Sequence, residues 1–332
     1  MFRLPRSFHR LALLSLLLVV GSGTAACGES EPLDGTVRIA GSTTLLPMIS
    51  QVAGTFAAEH PLVRMGVDMR GTAEGLTLLC DGLVPLAGAS RPIDPRERAA
   101  CDANGIRLGR LVVGRDAVVL VVAGQQDRPV CVTVPQVYAL AGPESMDVSA
   151  WDQVVEIDPE LGGLPPLPLR VVGPGAESGT LALFIDLAIA PVAEARATEP
   201  GLRVDYVPVT SEQLILGETI GTPGTLAVAG FATAAQWGDR VRRLEVDAGR
   251  GCEPADEDAI RSGDYPFSRE LYLYADLDRV LEDPALRAFT DQVISPAGLE
   301  AAGAVGGIAL DPSEGEAERE RWGRLLDEDG PS

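Results

Sequence analysis

The chain contains no lysine and only two histidines. His9 lies in the N-terminal segment, so His60, next to Pro61, is the histidine left for the folded part. A serine hydrolase needs an imidazole or similar base, and a zinc enzyme needs closely spaced His and Cys ligands. The sequence offers neither arrangement. We therefore expect a protein that is not an enzyme and that holds neither a metal ion nor a cofactor.

A second long apolar run is also missing. Three arginines among the first ten residues precede an apolar run over 11–20, which is shorter than the roughly 20 residues of a spanning helix. This arrangement predicts a cleaved export signal over 1–26. Small residues then lead to Cys27, a stretch that resembles the lipobox of bacterial lipoproteins, in which the cysteine carries lipid. We expect residues 27–35 to be a lipidated linker; the alternative is an ordinary secretory signal.

Positive charge is scarce in the mature part. Without the three signal arginines, 24 basic residues face 48 acidic ones, a net charge of about −24. Such a chain is not expected to bind nucleic acid.

After Cys27 four cysteines remain, an even number in a compartment where disulfides persist, and three pairings are possible.

Strands and helices alternate along the mature chain. Val37 to Ala40 is a predicted strand, and the apolar residues from Leu45 to Phe56 recur at helical spacing. The strand–turn–helix unit repeats, which favours an α/β fold with mostly parallel order. We predict two lobes with the chain crossing between them twice. The predicted bounds are 36–120 plus 268–310 for lobe 1, 121–267 for lobe 2, and 311–332 for an acidic tail that is a solvated helix or a frayed end.

Four turns share one character, because each follows a strand and offers hydroxyls and backbone N–H groups. They are 41–44, 71–73, 89–91 and 178–180. A helix N-terminus provides N–H donors without acceptors and the positive end of the helix dipole, so such turns can bind anions. The carboxyl ends of strands are where open α/β sheets bind ligands. For any single turn, the alternative is that Ser and Thr merely cap a helix.

These turns carry a family resemblance. The stretches 41–47, 71–72, 88–93, 173–180 and 263–269 resemble those of the phosphate-binding lipoproteins of ABC transporters, and the similarity runs from about Val37 to Tyr274. The resemblance implies a type 2 periplasmic binding protein fold, with two α/β lobes that close on phosphate in the interlobe cleft. It also implies a monomer at the cell envelope that delivers inorganic phosphate to the permease subunits of an importer.

The resemblance assigns phosphate-binding residues to all four turns. These are Ser42, Thr43, Thr44, Thr72, Ser90, Arg91, Ser178, Gly179 and Thr180, with Gly71 in a lining role. Many family members have an arginine where Pro174 stands here, so the cation would be Arg91, unless Arg91 is a structural salt-bridge partner.

Selectivity for phosphate over sulfate would rest on a carboxylate that accepts the ligand's hydrogen. Glu177 and Glu74 are the candidates, and the alternative for each is an exposed acid that favours a helix start. The same fold could instead bind sulfate or molybdate, or serve as a sensor or adhesion module.

We predict disulfides Cys80–Cys101 and Cys131–Cys252. The first pair flanks one strand–turn–helix unit, and the second would join the two borders of the middle lobe.

Overall fold

The computed structural model describes residues 32–124, 130–176, 178–304 and 308–328. From Leu33 onward the described residues form one compact unit. The predicted signal peptide, Cys27 and Glu177 lie outside the described residues. Within the described ranges, no helix combines the length and the apolar character that crossing a membrane requires.

The described residues form alternating strands and helices. The strands are β1 (Asp34–Gly41), β2 (Leu62–Asp68), β3 (Leu86–Ala89), β4 (Leu108–Ala123), β5 (Cys131–Thr133), β6 (Arg170–Pro174), β7 (Val207–Val209), β8 (Thr225–Gly230), β9 (Val241–Arg243), β10 (Glu245–Asp247), β11 (Cys252–Glu253) and β12 (Ser268–Asp276). The helices are α1 (Leu46–Glu59), α2 (Thr72–Cys80), α3 (Pro95–Ala103), α4 (Val134–Ala141), α5 (Gly179–Phe184), α6 (Ala190–Ala195), α7 (Glu212–Gly221), α8 (Phe231–Trp237), α9 (Glu257–Ser262), α10 (Leu277–Glu282), α11 (Pro284–Val293), α12 (Pro296–Ala304) and α13 (Pro312–Glu328).

The long strand β4 joins two lobes. The order of the large sheet is β2-β1-β3-β12-β4-β8-β6-β7, with β9 also paired to β4. Up to Ala117, β4 pairs with β12, and from Val118 onward it pairs with β8. The first lobe contains β1–β3, β12 and α1–α3 with α10–α13, and the second contains β5–β11 and α4–α9. This architecture confirms the predicted two-lobed α/β fold.

Strand directions place a cleft between the lobes. In the first lobe β1 is parallel to β2 and β3, and these strands run in the same direction as β4, because β12 is antiparallel to both β3 and β4. In the second lobe β8 runs antiparallel to β4, and β6 and β7 run parallel to β8. The parallel strands of both lobes therefore end, at their carboxyl termini, where the lobes meet.

Each lobe has its own apolar core. In the first lobe, Ile49 and Phe56 of α1 are buried, and the Phe56 ring meets Phe289 edge-on with centroids 5.3 Å apart. The buried residues of α1 recur as the sequence periodicity predicts. In the second lobe, Trp151 and Phe184 are fully buried in a separate cluster.

The C-terminal helix corrects one prediction. Residues 311–332 are predicted to be a solvated helix or a frayed end; the helix is present as α13, but it packs on the first lobe with Trp322 and Leu326 only 1% and 2% exposed. Glu318 is also nearly buried, and its carboxylate accepts a hydrogen bond from the Val112 N–H. The predicted solvent exposure was wrong because a few apolar residues spaced along one face are enough to dock a helix whose composition is acidic.

Both disulfides are present as predicted. Cys80–Cys101 links α2 to α3, with Cα atoms 4.1 Å apart, and Cys131–Cys252 links β5 to β11, with Cα atoms 5.9 Å apart. The second bond closes a sequence separation of 121 residues across the second lobe.

Candidate functional site

A cavity of about 350 Å³ lies where the lobes meet. Both lobes and the strand that joins them contribute to its wall. The polar or small residues that line it include Thr43, Thr44, Gly114, Arg115, Asp116, Gly179, Thr180, Gly230 and Thr233. It therefore contains members of the first and the fourth of the turns that the sequence singled out.

The first turn directs two threonines to the cavity. Ser42 is only 4% exposed; its Oγ accepts the Thr44 N–H at 3.3 Å, and its own N–H donates to the Gly88 carbonyl at 2.9 Å. Gly41 has a φ of +134°, and a Cβ there would lie 2.1 Å from the Gly88 oxygen, so only glycine fits. Ser42 thus organises the turn, and Thr43 and Thr44 line the cavity.

The fourth turn presents a helix N-terminus. The Ser178 Oγ accepts a hydrogen bond from the Thr180 N–H at 3.2 Å, and α5 begins at Gly179. α5 continues through the π-helical residues Ile185–Ile189 into α6, so one helical segment extends from Gly179 to Ala195. The first N–H groups of a helix have no acceptor within it and carry the positive end of its dipole. Ser178 itself lines a smaller adjoining cavity that shares Thr180.

The two turns face each other across the cavity. A methyl group placed on Gly179 would lie 3.1 Å from the Thr44 Oγ1 and 3.7 Å from the Thr43 Oγ1. A methyl placed on Gly230 would lie 3.6 Å from the Thr180 Oγ1. Hydroxyl donors from the first lobe therefore meet a helix N-terminus from the second, and this set of neutral donors suits an oxyanion.

Thr72 and Ser90 contact each other rather than the cavity. The Ser90 N–H donates to the Thr72 Oγ1 at 3.2 Å, and the two hydroxyl oxygens are 3.1 Å apart. The Gly71 N–H donates to the Gly41 carbonyl at 2.8 Å, which joins the second turn to the first. The structure thus places these two turns beside the first, but Thr72 and Ser90 do not line the cavity.

Arg91 and Glu74 are both held elsewhere. Arg91 donates to the Glu97 carboxylate through Nη1 at 2.8 Å and through Nη2 at 2.7 Å, and this hydrogen-bonded pairing lowers the pKa of Glu97. Glu74 is half exposed and lies 3.1 Å from the Arg70 Nη1. The salt-bridge alternative for Arg91 and the surface alternative for Glu74 therefore fit this structure, and neither residue is among those that line the cavity.

Three charged residues at the site were not predicted: Arg115 and Asp116 line the cavity, and Arg269 contacts the lining residue Thr44 without being a lining residue itself. Arg269 of β12 donates from Nη2 to the Thr44 Oγ1 at 3.3 Å and to the Asp116 carboxylate at 3.4 Å, and Asp116 lines the cavity. Burial raises the pKa of Asp116, and Arg269 opposes that rise; burial also lowers the pKa of Arg269. The stretch 263–269 was part of the resemblance, but its final residue, Arg269, was assigned no role. That residue is the signal in the sequence from which this pair could have been found.

His60 contributes nothing to the cavity. It caps the C-terminus of α1, and its ring packs on Phe56 with centroids 4.6 Å apart. It is not among the residues that line the cleft.

The fold and the interlobe cleft define a two-lobed binding protein. The family model of the PBP superfamily domain matches residues 28–297, and the chain belongs to this superfamily. Among curated relatives, Protein SphX from Synechocystis is 28% identical over 293 residues, which cover 88% of this chain and 82% of the relative. The phosphate-binding protein PstS from Staphylococcus epidermidis is 23% identical and covers 81% of this chain and 77% of its own.

Solved structures agree on the fold. A possible phosphate binding protein from Planctomyces limnophilus superposes with a TM-score of 0.74 at 26% identity, over 89% of this chain and 99% of its own. An ABC-type phosphate transport receptor from Vibrio cholerae gives a TM-score of 0.67 at 19% identity, over 82% and 99% of the two chains. The family resemblance and the fold class are both confirmed.

Proposed function

We propose that this chain binds inorganic phosphate in the interlobe cleft, outside the cytoplasmic membrane, and delivers it to the permease subunits of an ABC importer. The observation that carries the proposal is the approach of the Thr43 and Thr44 hydroxyls to the helix N-terminus at Gly179, because both sides of the cleft there offer hydrogen-bond donors. We further propose that Cys27 carries the lipid that keeps the protein at the membrane, and that the protein acts as a monomer without catalysis.

Neutral donors can hold such an anion. A hydrogen bond to a charged group contributes roughly 1.5 to 3 kcal/mol, and a micromolar complex needs about 8 kcal/mol. A handful of hydroxyl and N–H donors, aided by the helix dipole, therefore suffices even after ordering costs. The net charge of the mature chain opposes the anion only weakly, because salt screens exposed charges beyond about 8 Å.

The comparisons support phosphate as the ligand. PstS from Staphylococcus is called a phosphate-binding protein, and the Planctomyces structure is described as a possible one. The Vibrio receptor is described as part of ABC-type phosphate transport, which supports the importer as partner. Because most of each relative's length is matched, the whole architecture of these proteins is represented here.

Calorimetry tests the proposal. The mature chain, with its disulfides intact, is titrated with phosphate, arsenate, sulfate and molybdate at pH 7.5. We expect phosphate and arsenate to bind at least tenfold more tightly than the other two, because both are protonated oxyanions of similar shape. If sulfate or molybdate binds as tightly as phosphate, the ligand is another oxyanion and the phosphate proposal is wrong.

A matched pair of variants localises the site. Thr43→Val removes a cavity hydroxyl while keeping the shape of the side chain, and should weaken phosphate binding about ten- to a hundredfold. Thr55→Val is the control, because the exposed Thr55 hydroxyl donates to the Gln51 carbonyl within α1 and Thr55 is not among the residues that line this cavity.

A further inference from the structure

Two oppositely charged residues meet on the strands that join the lobes. Arg269 and Asp116 are direct partners in the antiparallel pairing of β12 with β4. Their side chains are only 14% and 27% exposed, and Nη2 of the arginine lies 3.4 Å from Oδ2 of the aspartate. Asp116 lines the cavity, and Arg269, which is not a lining residue itself, contacts Thr44, a cavity-lining residue of the first turn.

The contacts of Arg269 are long and leave hydrogen-bonding capacity unused. Its contacts to Thr44 and Asp116 measure 3.3 and 3.4 Å, whereas Arg115, the neighbouring cation in the cavity wall, lies 2.8 Å from Glu314. Within the described residues, the buried Nε of Arg269 has no hydrogen-bond acceptor. A guanidinium has five N–H donors, and leaving buried donors unsatisfied costs free energy. Unlike Arg115, Arg269 is thus a cation beside the cavity that is not neutralised by a short ion pair.

Asp116 supplies the carboxylate that neither Glu74 nor any other described residue of the four turns brings to the cavity. It lines the cavity beside the first turn. An ionised carboxylate accepts a hydrogen bond from a protonated oxyanion but repels one that has no hydrogen. Burial raises the pKa of Asp116, and the neighbouring Arg269 opposes that rise and so favours the ionised, accepting form. Asp186, on the helical segment that starts at Gly179, is a further negative charge acting on Arg269.

We infer that Arg269 and Asp116 form the charged part of the anion site. Arg269 balances the charge of the bound anion and so replaces the arginine that many family members have where Pro174 stands here. Asp116 accepts the hydrogen of a protonated oxyanion. The inference rests on the proposed function and adds to it the residues that set charge and selectivity.

Calorimetry with phosphate and with sulfate at pH 7.5 tests each residue separately. Asp116→Asn should reduce the ratio of phosphate to sulfate affinity at least tenfold, because the amide can donate to sulfate where the carboxylate repels it. Arg269→Gln should weaken both anions at least tenfold, and Arg269→Lys should recover part of that loss. Asp278→Asn is the matched control, because it removes a carboxylate from the exposed pair with Arg107 and should change neither affinity.

The outcomes separate this inference from the proposed function. If the wild type binds no oxyanion, the proposed function fails, and the inference fails with it. If the wild type selects phosphate, but Asp116→Asn keeps the affinity ratio within twofold and Arg269→Gln binds like the wild type, only the inference is overturned. Ligand-free melting curves identify any variant that does not fold. Should Arg269→Gln be such a variant, the affinity ratio of the nearly isosteric Asp116→Asn decides.

Discussion

Replacing Gly179 by alanine should weaken phosphate binding without lowering the stability of the fold. This residue is the first of α5, and its φ lies outside the left-handed region, so alanine fits the backbone. Alanine is a better helix former than glycine, by up to about 1 kcal/mol in a helix interior. We therefore expect Gly179→Ala to unfold at the same urea concentration as the wild type or at a slightly higher one.

The same methyl group should impair the site. It would lie 3.1 Å from the Thr44 Oγ1, closer than an ordinary van der Waals contact, and 3.7 Å from the Thr43 Oγ1. It would thus occupy the space between the facing turns where the anion meets its donors. Losing even one hydrogen bond to a charged ligand costs roughly 1.5 to 3 kcal/mol, so phosphate affinity should fall at least about tenfold.

Calorimetry and urea unfolding are run on the variant and on a matched control. Gly217→Ala adds the same group to α7 in the same lobe, where nothing lies within 4 Å of the new Cβ, and should leave affinity unchanged. Wild-type phosphate affinity in Gly179→Ala would refute the idea that the anion sits between these turns. A large loss of stability would instead show that the methyl group disturbs the fold.

Three further predictions address the donors, the anchor and the acid response. Thr180→Ala should weaken phosphate binding about ten- to a hundredfold in calorimetry, because it removes a hydroxyl from the cavity. Arg287→Ala, on the exposed face of α11, is the control and should bind phosphate as the wild type does. Equal affinities of the two variants would contradict the proposed position of the anion. Cys27→Ser should move the protein from the membrane fraction to the soluble fraction, and a wild type that is already soluble with a free N-terminus would end the lipid proposal. Because the hydrogen-bonded Arg91 lowers the pKa of Glu97, that pair stabilises the fold above the usual glutamate range and loses its effect as pH falls through the lowered pKa. Glu97→Gln should therefore cost about 1 kcal/mol or less in urea unfolding at pH 7, and this cost should shrink as the pH falls below the usual glutamate range; a cost that does not change with pH would refute the ionic origin.

The sequence by itself determined the local features of this protein. The hydroxyls of Ser42 and Ser178 were predicted to lie in turns at the carboxyl ends of strands, and the structure shows each capping its turn. Thr133 opens α4 with a capping box that involves Gln136, three residues later in the sequence. Such features depend on hydrogen bonds between residues two or three positions apart, which the sequence alone specifies.

Only the tertiary structure decided which side chains reach the cavity. Arg91 is part of a predicted turn, but its guanidinium is hydrogen-bonded to the carboxylate of Glu97, six residues away. Arg269 is separated from Asp116 by 153 residues, and the antiparallel register of the two joining strands brings them together. Sequence spacing cannot give that register, because it depends on how both lobes pack around the shared strand β4. For the same reason α13 docks on the first lobe, although its composition indicated a solvated tail.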